Sequence, residues 1–256
     1  MHAPAPKTIP AELLLMAYRS GIFPMADSRD DSDVYWVEPR ERAVIPLDGF
    51  RLSRSLAKAI RQDRFRVTCN ADFAAVIAAC AAPRPGHPES WISDRIAASY
   101  RALHLLGHAH SLECWHDGVL VGGLYGVGFD QAFCGESMFS RATDASKVAL
   151  AWLVALLRHA GYRLLDCQFM TGHLASLGAV PVSRENYLKR LAEAVAAGPA
   201  PALPEAYASL LGTAASDVGV ADGVTAGAGA GEEVPAEAAG ASSPGKLILQ
   251  SLTQTS

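Results

Sequence analysis

Two polar side chains with complementary chemistry, Asp166 and Gln168, lie two residues apart in the segment 163–168. We expect this segment to form a β-strand. Because successive side chains of a strand point to opposite faces, both should project to one side, with Cys167 on the other. A carboxylate there could hold an amide whose carbonyl oxygen faces a substrate. The alternative is structural, with Asp166 capping the neighbouring loop.

A third polar group, Glu136, stands within an otherwise apolar predicted strand, 132–139. A carboxylate is costly to bury without a partner. From the residues alone, that partner could be Arg141 or Lys147 in a salt bridge, or the group could belong to a site. The sequence leaves both interpretations open.

Two other groupings resemble sites but do not fit their spacing. One contains four histidines and a cysteine: His104, His108, His110, Cys114 and His116. It has neither an H-E-x-x-H motif nor a zinc-finger spacing, so we predict no metal site. The other pairs Cys167 with His173, but nothing around it marks an oxyanion hole, and we expect Cys167 to be a core thiol.

The elements that must position these residues change character along the chain. The predicted helices span 10–18, 53–60, 93–107, 146–159 and 187–197, with one more after its N-cap Asn70. The predicted strands span 35–37, 65–68, 110–115, 119–127, 132–139 and 163–168. A three-strand antiparallel meander, a long apolar helix and a returning strand favour an α+β fold with a mixed sheet.

Charge is distributed unevenly over the 256 residues. The net charge is −4, which excludes the overall basic character of many nucleic-acid binders. However, residues 1–190 hold 21 Lys and Arg against 19 acids, whereas residues 191–256 hold one Lys and seven acids. Between Arg40 and Arg66, eight basic residues face three acids. The body of the chain therefore carries one local basic cluster.

The C-terminal part of the chain differs in composition from the rest. Residues 212–245 contain no Leu, Ile, Phe, Tyr or Trp, so they cannot bury enough apolar surface to offset the entropy of ordering. We expect disorder there, and an unstructured end at 246–252 in preference to the alternative, a weak docking element. The sequence has no apolar run long enough for a membrane span and no secretory signal at its start, which favours a cytoplasmic protein without a membrane partner.

A series of short segments resembles the leucyl/phenylalanyl-tRNA protein transferase family. The matching segments follow one another along the chain: 18–25, Trp36, 42–46, 53–56, Trp91, 100–104, 107–115, 120–127, 133–141, 145–147, 165–168 and 176–179. The resemblance implies a small N-terminal α/β domain, 1–68, packed on an acetyltransferase-like (GNAT-type) mixed-sheet domain, 69–200. A low-complexity, mostly disordered tail, 201–256, would follow.

The resemblance also implies an activity. The enzymes of this family move Leu or Phe, and less often Met, from aminoacyl-tRNA to the α-amine of proteins that begin with Arg or Lys, which marks those proteins for degradation. We expect a monomer without a cofactor. One alternative is an acyl-CoA-dependent N-acyltransferase, but the turn 140–146 has no glycine to approach a CoA pyrophosphate. The other is a non-catalytic binder of tRNA 3′ ends.

The resemblance assigns roles to individual residues. It implies a catalytic pair, Asp166 and Gln168, and we expect Asp166 to hold and polarise the Gln168 amide, whose oxygen receives the proton of the amine. It places Glu136 in the wall of the amino-acid pocket, with Phe133 and Met138 as apolar neighbours of the Leu or Phe side chain.

The remaining implied contacts are with tRNA. Trp36 and Trp91 match positions that contact the 3′-terminal adenosine, and an indole face supplies about 1–3 kcal/mol per stacked base. Within the basic cluster we expect four arginines to contact the phosphates of the acceptor stem: Arg42, Arg51, Arg54 and Arg61. A solvated charged face is the alternative.

Overall fold

A mixed β-sheet lies at the centre of the structure, a computed structural model that describes residues 8–31, 33–83, 89–216 and 243–253. Strands β1 (Phe23–Met25) and β2 (Tyr35–Val37) form a separate antiparallel pair. The strands of the central sheet are β3 (Glu41–Val44), β4 (Arg66–Cys69), β5 (Ala109–His116), β6 (Val119–Phe129), β7 (Ala132–Ser140), β8 (Leu164–Asp166) and β9 (Val180–Ser183). Their order across the sheet is β4-β5-β6-β7-β8-β3-β9.

Helices cover both faces of this sheet. They are α1 (Ala11–Arg19), α2 (Arg54–Arg61), α3 (Phe73–Ala81), α4 (Asp94–Leu105), α5 (Ala145–His159), α6 (Gly172–Ser176), α7 (Arg184–Ala196), α8 (Leu203–Ser216) and α9 (Pro244–Thr253). A hydrophobic core lies on each face of the sheet. On β8, Leu165 packs in the core around α5 and Leu164 packs in the core around α4, because successive side chains of a strand point to opposite faces. None of the helices in the described part of the chain is long and apolar enough to cross a membrane.

The predicted fold class, α+β with a mixed sheet, is confirmed. Strands β5, β6 and β7 form the antiparallel meander, α5 follows, and β8 returns parallel to β7. Gly122 on β6 permits α5 to begin close to the sheet, because a Cβ at this position would lie 2.5 Å from Cβ of Ala145. This packing fixes the first turn of α5 beside the meander.

The sheet opens where β7 and β8 separate. The two strands pair only from Ala132 to Cys134 on β7 and from Leu164 to Asp166 on β8. β7 then continues to Ser140, paired with β6 alone, whereas β8 ends. The gap between them contains the candidate site.

The cap of the third helix differs from the prediction. Asp72, not Asn70, caps α3, since its side chain accepts a hydrogen bond from the Ala75 N–H. Asn70 has a φ of 58°, and its Oδ1 accepts from the N–H of Ser111 on β5. Its amide is therefore used to join two segments of the sheet rather than to start the helix.

The domain limits predicted at residues 68 and 200 stay a prediction. Strand β3 precedes residue 68 and β4 spans it, and both are hydrogen-bonded into the same sheet as β5, β8 and β9. Residues 8–40, with α1 and the β1–β2 pair, pack against one face of that sheet.

The expectation of an unstructured end at 246–252 is wrong. These residues lie in α9, which packs on α2 and α5 with Ile248 fully buried. Helix α8 likewise continues past residue 212 to Ser216. Apolar residues spaced along both helices meet the core formed by α5, and this burial offsets the cost of ordering. The remainder of the predicted disordered segment, 217–242, lies outside the described residues.

Candidate active site

The open end of the sheet brings two carboxylates and one amide together. Glu136 lies on β7 two residues past its last pairing with β8, Asp166 is the final residue of β8, and Gln168 follows closely. All three are buried, with exposed fractions of 7%, 0% and 5% respectively. The structure thus collects the three residues that the sequence singled out for chemistry.

Gln168 contacts the two carboxylates through different atoms. Its backbone N–H donates to Asp166 Oδ1 at 2.8 Å, and its side-chain Nε2 donates to Glu136 Oε1 at 2.8 Å. Gln168 has a φ of 61°, a left-handed conformation that a residue with a Cβ adopts at a cost. Asp166 stabilises this conformation by accepting the N–H. Because the amide nitrogen faces Glu136, the carbonyl oxygen is the remaining end of the Gln168 side chain.

This geometry corrects two expectations from the sequence. β8 ends at Asp166, so the alternation of a strand does not orient Gln168. The group that holds the Gln168 amide is Glu136 rather than Asp166. The left-handed backbone turns the glutamine side chain across the opening towards β7, and Asp166 instead caps the turn, as the structural alternative supposed.

Glu136 accepts three hydrogen bonds. Tyr18 OH donates to Oε1 at 2.7 Å and Tyr100 OH to Oε2 at 3.0 Å, in addition to the Gln168 amide. Burial raises the pKa of Glu136 to about 7, while the three hydrogen bonds act in the opposite direction. In the described part of the chain no cation lies within ion-pair distance of this carboxylate, so the salt bridge considered for it is not formed.

A second set of contacts holds the other carboxylate oxygen of Asp166, Oδ2. Arg42 Nη2 lies 3.0 Å from Asp166 Oδ2, and Tyr187 OH donates to the same oxygen at 3.0 Å. The Arg42 guanidinium lies over the rings of Phe23 and Tyr187, 4.8 and 4.3 Å from their centroids. Burial raises the pKa of Asp166, and the charge of Arg42 opposes this. Protein groups therefore occupy both carboxylate oxygens of Asp166.

The position of Arg42 differs from the expectation that it contacts tRNA. Its side chain is 2% exposed, because β3 lies next to β8 inside the sheet and directs the guanidinium at Asp166. Arg51, Arg54 and Arg61 are exposed, so these three of the four predicted arginines remain candidates for phosphate contacts.

A cavity of about 710 Å³ occupies the opening between β7 and the segment after β8. Glu136 and Gln168 line its polar end. Its other walls are mostly apolar and include side chains from β7, from α5, from β8 and from the segment after β8: Met138, Leu150, Leu153, Leu165 and Phe169. This volume is typical of small-molecule sites, and an amide and a carboxylate at one end of an apolar cavity can orient a ligand with one polar and one apolar part.

The residues predicted to bind substrate do not all line the cavity. Met138 and Trp91 do. Phe133 does not, because it lies in the paired part of β7 and is fully buried in the core. Trp36 lies on β2 and is 41% exposed. Its partner strand β1 ends at Met25, which lines the cavity, so Trp36 belongs to a hairpin at the rim.

The sequence reasoning missed the tyrosines that hold the carboxylates, Tyr18, Tyr100 and Tyr187. They come from α1, α4 and α7 and lie 118, 36 and 21 residues along the chain from the carboxylates that they contact. Burial raises the pKa of all three, so they remain protonated donors. One signal was available, since Tyr18 and Tyr100 each open a segment of the family resemblance and a buried tyrosine hydroxyl requires a partner.

Neither of the competing groupings forms a site of its own. Cys167 and His173 both line the cavity, but burial and the charge of Asp166 raise the pKa of the Cys167 thiol, which disfavours the nucleophilic thiolate. His104 stacks on Phe73 in the core. Across the described ranges, no group of three or more His, Cys, Asp or Glu side chains is arranged to hold a metal ion.

Comparisons with known proteins agree over both halves of the chain. The family model described as leucyl/phenylalanyl-tRNA protein transferase matches residues 44–192, and the model of its N-terminal domain matches residues 8–40. A curated leucyl/phenylalanyl-tRNA–protein transferase from Novosphingobium aromaticivorans is 61% identical over 260 residues, 98% of each chain. Another, from Zymomonas mobilis, is 62% identical over 187 residues, 73% of this chain and 70% of the relative.

The crystal structure of a functionally unknown conserved protein from Staphylococcus epidermidis aligns with a TM-score of 0.36 and 14% identity, over 71% of this chain and 67% of its own. That similarity is too low to bear on the site. The sequence matches define the class: the protein is a transferase that uses aminoacyl-tRNA and protein as its two substrates. The chain belongs to the leucyl/phenylalanyl-tRNA protein transferase family.

Proposed function

We propose that this enzyme transfers Leu or Phe, and less often Met, from aminoacyl-tRNA to the α-amine of cytoplasmic proteins that begin with Arg or Lys, marks them for degradation, and acts as a monomer without a cofactor. One observation carries the proposal. Gln168 lies at the polar end of an apolar cavity, where one buried carboxylate accepts its backbone N–H and another accepts its side-chain amide.

The apolar part of the cavity supports the choice of donor. Met138, Leu150 and Leu153 offer a lining that an aliphatic or aromatic side chain fills, and each buried methylene contributes about 0.8 kcal/mol. A charged side chain would lose its hydration there without a partner. The apolar lining therefore supports a donor amino acid such as Leu, Phe or Met over a charged one.

The reaction requires positioning more than activation. Aminoacyl-tRNA is an ester, and an α-amine with an ordinary pKa near 8 is partly neutral at pH 7. The amine nitrogen attacks the ester carbonyl, a C–N bond forms, and the C–O bond to the terminal ribose breaks. Holding the two groups in contact supplies several kcal/mol of the barrier reduction.

Gln168 acts as the catalytic residue in this step. Its carbonyl oxygen receives the hydrogen of the attacking amine, which then passes to the departing ribose oxygen, directly or through the adjacent ribose hydroxyl. Glu136 accepts from the amide nitrogen, and this polarises the amide so that more negative charge lies on its oxygen. Asp166 fixes the backbone of Gln168 and is in turn fixed by Arg42.

The tRNA end would enter at the rim. Trp91 lines the cavity and Trp36 is exposed on the neighbouring hairpin, so both indoles can stack against the terminal adenosine. Arg51, Arg54 and Arg61 are exposed for the backbone of the acceptor stem.

One assay tests the proposal. The full chain is incubated with leucyl-tRNA and a peptide that begins with Arg, and mass spectrometry is used to detect one added leucine. We expect this product, a similar one from a Lys peptide, and none from a Glu peptide or when an acyl-CoA replaces the charged tRNA. Product from the acyl-CoA, or tRNA binding without any product, would refute the proposal in favour of the two alternatives.

A further inference from the structure

A second cavity, of about 430 Å³, lies between α2 and the C-terminal helix α9. Arg54 and Arg61 line it from α2, and Lys246 lines it from α9. All three side chains are exposed, and within the described part of the chain none of them forms an ion pair. The cavity is thus a groove lined by three cations, none of which has an acidic side chain of the described residues within ion-pair distance.

The contact between α9 and α2 is close and specific. The N–H of Gly245 donates to Asp63 Oδ1 at 2.7 Å, and a Cβ at Gly245 would lie 1.8 Å from the carbonyl oxygen of Ile60. Only glycine allows this approach. Ile248, one turn further along α9, is fully buried. Lys246 lies between these two anchors, so its backbone is held at the end of α2.

Helix α9 is an addition to the family domain. The family model ends at residue 192, and α9 begins at residue 244. Residues 191–256 contain one basic residue against seven acids, and that basic residue is Lys246. The only cation in this acidic part of the sequence therefore lies beside the arginines of α2.

We propose that α9 extends the RNA-binding surface of this enzyme, with Lys246 contacting a backbone phosphate of tRNA together with Arg54 and Arg61. The inference rests on the proposed function, because it takes tRNA as the ligand. Exposed cations that line one groove match a phosphodiester backbone, which presents regularly spaced negative charges. Such contacts bind tRNA regardless of its sequence.

The test measures binding of uncharged leucine tRNA to the full chain over a range of salt concentrations. Removing one phosphate contact reduces the slope of log affinity against log salt by about one. For Lys246→Gln we expect that change, and about three- to tenfold weaker binding at about 100 mM salt. Lys246→Arg should retain wild-type binding. Lys189→Gln, which removes another exposed lysine from α7, is the matched control and should bind as the wild type does.

The possible outcomes separate the inference from the function on which it rests. If Lys246→Gln binds tRNA with the affinity and salt slope of Lys189→Gln while the wild type transfers leucine, the inference is overturned and the proposed function stands. If the wild type shows no salt-dependent binding of tRNA, both are overturned. A reduced slope in Lys246→Gln alone, with thermal unfolding unchanged, supports the inference.

Discussion

Replacing Glu136 with glutamine should remove a pH dependence from the stability of the protein. Burial raises the pKa of Glu136 in the folded protein to about 7 from an ordinary value of 4.5. A group whose pKa is raised on folding stabilises the folded state fully below its unfolded value, and this stabilisation is lost as the pH rises through the folded value. The wild type should therefore lose this contribution between about pH 4.5 and 7.

The size of the effect follows from the two pKa values. At about 1.36 kcal/mol per pKa unit, the difference between 4.5 and about 7 corresponds to about 3 kcal/mol. Glu136→Gln keeps the shape and an acceptor oxygen but does not titrate. Its free energy of unfolding, minus that of the wild type, should therefore rise by about 3 kcal/mol from about pH 4.5 to about pH 8.

Urea unfolding at several pH values measures this difference. Other titrating groups contribute equally to both proteins and cancel in the subtraction. The control is Glu185→Gln on α7, whose exposed carboxylate pairs with Lys189 and should change stability by less than about 1 kcal/mol at any pH. A difference between Glu136→Gln and wild type that is the same at both ends of the pH range would contradict the assigned burial and pKa.

Three further substitutions test other parts of the structure. Gln168→Ala should lower the rate of leucine transfer by about 100-fold, whereas alanine at the exposed Gln62 should leave it unchanged; equal rates would exclude a catalytic amide. Asp166→Ala should destabilise the fold by about 3–5 kcal/mol by leaving Arg42 buried without a counter-ion, and adding Arg42→Met should restore part of this in urea unfolding. Gly245→Ala should displace α9 and lower stability by about 1–3 kcal/mol, and a wild-type melting curve would refute the close packing.

The sequence predicted the elements of this fold better than the turn that forms the site. The meander, the long apolar helix and the returning strand follow from periodicity, and the structure places them close to the predicted ranges. Periodicity carries no information about where a strand stops within a polar segment. Gln168 leaves the strand because Asp166 accepts its backbone N–H, and a hydrogen bond of this kind is not encoded in the alternation of apolar residues.

The partners of the two carboxylates could not be predicted from neighbouring residues in the sequence, for a different reason. Tyr18 and Glu136 are 118 residues apart. Arg42 and Tyr187, which both contact Asp166, are 145 residues apart from each other. Only the assembled sheet brings them together. Arg42 stands among exposed arginines in the sequence, so its charge favoured a surface role, but its place on β3 inside the sheet makes it the counter-ion of Asp166.

The two buried carboxylates have different environments, and this difference assigns their tasks. Asp166 has a fixed cation on one oxygen and hydrogen-bond donors on both, so protein groups use both oxygens and one of them holds the backbone of Gln168 in place. Glu136 has only neutral donors and a pKa raised to about 7 by burial, and it accepts a hydrogen bond from the side-chain amide of Gln168. In the proposed reaction, the neutral glutamine between them suffices as the reacting group because the ester donor is already activated. An enzyme that had to break an amide bond would need a stronger base at this position.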